Sequence, residues 1–261
     1  MQGRRRGIIV LLIAILSLAT MTCRLTGNDG PPRNALIVEV AANTSLRSWM
    51  EAAVERFNAA GNETTAGKPI YVVLAPIESG RAVATMAEGG LQPVLWIPDY
   101  RVWADLLADQ GNDSFQADCV SVAESPLVIA MWRPVAESLG WPGRSLGWLD
   151  VGSLAADPSA WAYYSGGQFG DSLRLGHTHP GLSGAGVSTL LAIVQAAESK
   201  TEAVSEEDIH SPIVQASVSA FEAAVSWFSP STDDLGRTMR ERGVGYLGAA
   251  VMYESTVVNY G

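Results

Sequence analysis

The chain has 261 residues, of which 48% are hydrophobic and only 17% charged. That balance excludes wholesale disorder, which needs low hydrophobicity and high charge, and the length allows one large domain or two modest lobes. A formal net charge of −10 disfavours non-specific binding to nucleic acid or anionic lipid, although helix N-termini and backbone amides can still hold a small anion.

Arg4, Arg5 and Arg6 precede an almost unbroken apolar run from Ile8 to Ala19, which ends at Thr20-Met21-Thr22-Cys23. A basic segment followed by an apolar stretch of this length has the design of a secretory signal. It is short for a membrane-spanning helix, which needs about 20 apolar residues. Cys23 then points to a lipoprotein in which the signal is cut and the cysteine is lipidated. Met21 and Thr22 stand where the usual lipobox has small residues, so an uncleaved anchor helix is the alternative. Either route leaves the remainder outside the cytoplasm and held to the membrane. Residues 24–34, with Gly27, Gly30, Pro31 and Pro32, read as a flexible tether. The second cysteine, Cys119 beside Val120 and Val122, reads as a buried small hydrophobe, with a reactive thiol as the alternative.

The folded part opens with Leu36 to Ala42, an apolar run of strand length. Asn43-Thr44-Ser45 follows as a capping sequence, and Leu46, Trp49, Met50, Ala53, Val54 and Phe57 recur at helical spacing. The pattern repeats twice. Ile70 to Ile77 is a strand, Glu78-Ser79-Gly80 a polar turn, and Val83 and Met86 mark a short helix. Val94 to Ile97 is a third strand, with Pro98-Asp99 and a helix carrying Trp103, Leu106 and Leu107 after it. Alternating strands and helices predict a mostly parallel sheet covered on both faces, with ligands at the carboxyl ends of the strands.

A second set begins at the strand Leu127 to Trp132. Irregular Gly-, Pro- and Trp-rich segments follow, then a short strand at Leu173 to Leu175 and a loop from His177 to Gly186. One helix carries Val187, Leu190, Leu191, Val194 and Ala197. Thr201 to Ser211 reads as an acidic surface loop, Pro212 to Phe228 as a helix with Pro212 in its first turn, and Ser229 to Thr232 as the opening of a helix stopped by Gly243. Tyr246 to Tyr253 is the last strand. No repeat of fixed period is present.

Asn43, Thr44, Ser45, Ser79 and Ser183 suit helix capping, their commonest role. Lying at the same end of successive strand–helix units, they are equally candidates for ligand contact. Thr232 reads as a plain cap. Trp96 can stack on a ligand or pack in the core. His177 and His179 have the spacing of a metal pair, but no third ligand is evident and a structural role is favoured. Gly181-Leu182-Ser183-Gly184-Ala185 lacks the final glycine of a nucleophile elbow, so a serine hydrolase using Ser183 is disfavoured. Gly184-x-Gly186 does not complete a dinucleotide fingerprint. Neither catalysis nor a cofactor nor a metal is expected.

The succession of strand–NTSL–helix, strand–ESG–helix, VLWIPDYRVWADLL, SPLVIAMW, HTHPGLSGAG and GAAVMYES resembles the type II periplasmic binding proteins, specifically the molybdate-like branch of extracellular solute-binding proteins. Some members of that branch are fused to a von Willebrand A-type domain. The resemblance implies an α/β fold of two Rossmann-like lobes with a hinge and an interlobe cleft that closes on a ligand. It implies no catalysis, a small polar ligand (an oxyanion among the candidates), an ABC-type permease as partner, and a monomer. The expected organisation is a signal or anchor over residues 1–23, a tether over 24–34, lobe I over 35–124, lobe II over 125–255, and the start of a return crossover over 256–261. The family's return strand and terminal helix are expected to be missing here. By position, Ser45 and Ser79 match serines that contact ligand, and Gly80 and Thr232 join them as candidates. The loop Pro180 to Ala185, with Ser183 and Gly184, matches the second lobe's contact loop. Tyr253 matches a tyrosine that can donate its hydroxyl to an oxyanion. Glu78 departs from the family's small-residue pair: a carboxylate there repels an anion unless it turns away or pairs with Arg81. A membrane-anchored, non-transport scaffold or sensor module is the remaining alternative.

Overall fold

The computed structural model describes residues 30–115 and 119–261; the predicted signal segment, Cys23 and most of the tether lie outside the described residues. Two compact units are present. One comprises residues 30–37 and 57–71, and the other 38–56, 72–115 and 119–261. In the first, the Leu36 amide donates to the Pro69 carbonyl at 2.7 Å, and Glu63 bridges Pro69 in antiparallel fashion. All the candidate site residues from Asn43 to Tyr253 belong to the second.

β1 (Leu36–Ala42), β2 (Ile70–Pro76) and β3 (Leu95–Ile97) form a three-stranded sheet in the order β2-β1-β3. β1 and β3 are parallel, with Val40 opposite Leu95 and Ala42 opposite Ile97. A 3-10 turn at Thr44–Leu46 leads into α1 (Arg47–Ala59); α2 (Ser79–Ala87) follows β2 and α3 (Val102–Asp109) follows β3. Successive side chains of a strand point to opposite faces, and the core obeys this. Ala41 and Trp96 pack with Val83, Met86, Trp103 and Leu107 of α2 and α3, while Val40 and Ala42 pack with Met50 of α1. Trp96 is thereby a core residue, edge-to-face with Phe115 at 5.5 Å. Trp49, on the same predicted helix, is instead 53% exposed.

The second sheet contains β4 (Leu127–Met131), β5 (Leu175–Thr178), β6 (Val225–Ser229) and β7 (Ala249–Tyr253) in the order β4-β7-β5-β6. β5 is parallel to both β6 and β7, whereas β4 is antiparallel to β7. Around it lie α4 (Arg133–Ser138), α5 (Trp148–Ala156), α6 (Pro158–Ser165), α7 (Gly184–Glu198), α8 (Glu206–His210), α9 (Pro212–Ala224), α10 (Thr232–Arg242) and α11 (Glu254–Tyr260). Alternation again divides the core. Ala249 and Val251 join Trp161, Leu175, Ile193 and Phe221, whereas Ala250 and Met252 join Leu235, Met239 and Leu247.

Several expectations are corrected. The Gly- and Pro-rich stretch contains α5 and α6; Asp157 caps α6 by accepting from the Ser159 and Ala160 amides, with Pro158 in the first turn. The strand expected at Leu173 to Leu175 runs from Leu175 to Thr178 and so includes His177. The acidic loop holds the short helix α8, started by a reciprocal Ser205–Asp208 capping box. The helix predicted to reach Phe228 ends at Ala224, and β6 takes over. Cys119 is exposed, not buried. Among the described residues no helix is long and apolar enough to cross a membrane.

Candidate functional site

The three loops leaving β1, β2 and β3 bring their polar residues together. Asn43 caps the turn after β1, its Oδ1 accepting from the Ser45 amide at 2.9 Å, and its Nδ2 donates to Ser79 Oγ at 3.3 Å. The Thr44 hydroxyl donates to Glu78 Oε1. The Ser79 hydroxyl donates to Asp99 Oδ1 at 2.7 Å, and the Asp99 amide donates back to Ser79 Oγ at 3.1 Å. Asn43, Thr44, Glu78 and Ser79 are all buried.

Two elements of the second sheet's layer complete the cluster. The Gly184 amide, first in α7, donates to Asp99 Oδ2 at 3.0 Å, and the Tyr253 hydroxyl at the end of β7 donates to the same oxygen at 3.0 Å. Trp103 Nε1 donates to Oδ1 at 3.1 Å. Four uncharged donors therefore converge on one carboxylate, two to each oxygen. The Gly184 amide is one of those left without a partner inside a helix, and the α7 dipole favours the negative charge facing it. Close approach explains both glycines of the cluster. A Cβ on Gly184 would lie 2.7 Å from the Asp99 carboxyl atoms. One on Gly80 would lie 2.4 Å from the Gly181 carbonyl oxygen, beside the hydrogen bond from the Gly80 amide to the Leu182 carbonyl at 2.9 Å.

The electrostatics are those of two buried carboxyl groups side by side. Burial pushes Glu78 up to about 7, with the Asp99 charge adding to the rise and Thr44, Ser183 and Asn43 opposing it. Burial also raises Asp99, against the donors Ser79, Tyr253 and Gly184. Tyr253 is raised by burial and by both carboxylates, so it stays a neutral donor. Among the described residues no cationic side chain pairs with Glu78 or Asp99. Arg81 is exposed, so the Glu78 carboxylate neither turns to solvent nor gains that partner. Glu78 Oε2 and Ser183 Oγ are buried without a hydrogen bond of good geometry.

The expected residues Asn43, Thr44, Ser79, Gly80, Gly184 and Tyr253 thus share one hydrogen-bonded neighbourhood, with Ser45 contributing its amide to Asn43. Capping holds for Asn43 only: neither Ser183, at the N-cap of α7, nor Ser79, first in α2, caps its helix with its side chain. Thr232 stands outside the network. Its hydroxyl accepts from Thr256 at 3.2 Å, and Ser231 is the residue that caps α10. His177 is fully buried between Phe221 and Phe228, 2.9 Å from Glu222, whereas His179 accepts from the Gly181 amide at 3.0 Å. Their surroundings are structural. No group of three His, Cys, Asp or Glu able to hold a metal ion occurs among the described residues. The residue missed is Asp99. Its place in the third successive loop at the carboxyl end of a strand was the available signal.

No protein-family model matches the sequence, and no curated protein matches it. Solved structures do. The fold is similar to that of the sulfate-binding protein SubI from Mycobacterium tuberculosis, with a TM-score of 0.52 and 14% identity over 87% of this chain and 67% of that one. It is also similar to iron-bound HitA from Pseudomonas aeruginosa, with a TM-score of 0.51 and 12% identity over 86% of this chain and 65% of that one. The chain therefore spans about two thirds of the length of either. These likenesses bear out the expected fold class, an α/β fold with two sheets like that of type II periplasmic binding proteins.

Proposed function

We propose that the protein is an extracytoplasmic solute-binding protein that captures a small polar ligand for an ABC-type membrane permease and performs no catalysis. One observation carries this reading: in a fold shared with a sulfate-binding protein, polar groups from the loops after β1, β2 and β3 meet the start of α7 and the end of β7 in one buried cluster. The ligand contacts are Asn43, Thr44, Ser45, Ser79 and Gly80 from the first set, and Ser183, Gly184 and Tyr253 from the second. A ligand touching both sets gains its full contacts only when they are together, and so draws the population to that state. Lipidation of Cys23 holds the monomer to the outer face of the membrane. The test is a thermal-shift screen of the purified full chain in mild detergent against small anions, cations, sugars and amino acids. A ligand at 100 times its dissociation constant adds about 2.7 kcal/mol, a shift of several degrees. A hit weakened in Ser183→Ala or in Tyr253→Phe supports the reading. A well-folded sample that responds to no class refutes it and favours a scaffold or sensor module, in which Asp99 permanently fills the donor cluster.

A further inference from the structure

The donors expected to hold an oxyanion are already occupied, because they end on the Asp99 carboxyl group, which the chain itself supplies. The hydroxyls of Ser79 and Tyr253, the amide of Gly184 and the indole N–H of Trp103 all end on its two oxygens. A free sulfate or molybdate entering here finds these donors taken and a second buried carboxylate, Glu78, beside them. What the cluster leaves unused is of the other kind. Glu78 Oε2 is an acceptor when ionised, Ser183 Oγ can accept as well as donate, and both are more than nine-tenths buried and, although near one another, make no hydrogen bond of good geometry. Buried polar atoms without partners are rare and call for a ligand or water. A buried carboxyl group without a counter-ion takes up a proton or pairs with a cation. We propose that the site takes an organic cation with a protonated nitrogen, an ammonium or guanidinium group received by Glu78 Oε2 and Ser183 Oγ beside the Asp99 carboxylate. This deepens, and rests on, the solute-binding reading.

The groups facing Glu78 are Thr44 and Asn43 from the first loop, Asp99 from the third, and Ser183 at the start of α7. None is cationic, so the ligand's charge meets no competitor. No three of His, Cys, Asp or Glu are grouped among the described residues so as to hold a metal ion.

The test is calorimetry on the full chain in mild detergent at pH 8, using putrescine, spermidine and agmatine against sulfate, molybdate and glucose. The expected result is binding of at least one amine or guanidine, weakened tenfold or more in Glu78→Gln, a variant that keeps the fold. Sulfate and molybdate give no signal with the native chain but do bind Asp99→Ala, in which the four donors are vacated. Asp99→Asn keeps the shape and removes the charge, and covers the case in which Asp99→Ala fails to fold: it too weakens the cation tenfold or more. Binding of sulfate, molybdate or glucose to the native chain, with no cation bound, overturns the cation assignment and leaves solute binding standing. Cation binding indifferent to Glu78→Gln also overturns it. Silence from all six probes counts against the assignment, and it reaches solute binding itself only if the broader thermal-shift screen is silent as well.

Discussion

Glu78 sits at a position where a carboxylate is costly. Its pKa of about 7 in the fold stands against 4.5 ordinarily, so between those values the folded state holds a proton that the unfolded chain has released. Stability contributed this way is present below about pH 4.5 and is lost as pH rises through about 7, by up to about 3 kcal/mol. Glu78→Gln should remove that loss: its denaturant midpoint should exceed the native one at pH 8 and differ little at pH 5. A native pH slope no steeper than the variant's would show that Glu78 is solvated. Tyr253→Phe tests the neighbouring charge. It takes one of two donors from Asp99 Oδ2 and should cost about 2 kcal/mol, the worth of a hydrogen bond to a buried charge, measured by urea unfolding at pH 8. Of these residues the sequence displayed Glu78 and Tyr253, one as a departure from a family pattern and one as a match. Asp99 showed only its place in the third strand-end loop, because its role depends on Gly184 and Tyr253, which lie 85 and 154 positions further on.

Elements differed in legibility for the same reason, the range of the forces that define them. β1, α2 and α10 are set by local signals, an apolar run, a helical stripe and a cap with a closing Gly243, and they fall where those signals lie. β6 is not. Val225 to Phe228 continues the apolar pattern of α9, and only pairing with β5, about fifty residues earlier, makes it a strand. The junction between α2 and the loop before α7 was likewise invisible, since a glycine's missing side chain matters only once its neighbour is known. Two substitutions separate its parts. Gly80→Ala drives a Cβ into the backbone at Gly181 and Leu182, whereas Gly184→Ala meets the Asp99 side chain, which can turn away. Both should destabilise, Gly80→Ala by about 1–3 kcal/mol as overpacking against backbone. Only Gly184→Ala should restore access to the Asp99 donors. Thermal unfolding gives the first comparison, and sulfate binding to each variant the second. Equal sulfate responses would mean that the carboxylate is not what the Gly184 site accommodates.

At the scale of the molecule, Asp99 ties together the two sides of the junction at which the candidate residues meet. The same carboxylate reaches Ser79 and Trp103 on the side of the first sheet, and Gly184 and Tyr253 on the side of the second. Removing it takes two contacts from each side at once, yet leaves the hydrophobic clusters around both sheets untouched. Local opening and global unfolding draw on different parts of this structure. In Asp99→Ala, amide exchange should therefore accelerate at Gly184 and at Gly80, whose amides donate across the junction to Asp99 and to the Leu182 carbonyl. The amides of β7 from Ala249 to Met252, held by β4 and β5, should keep the native rate. Acceleration of both sets together would mean that Asp99 supports the whole fold. Acceleration of neither would mean that the junction is held by the Gly80 to Leu182 backbone contact alone.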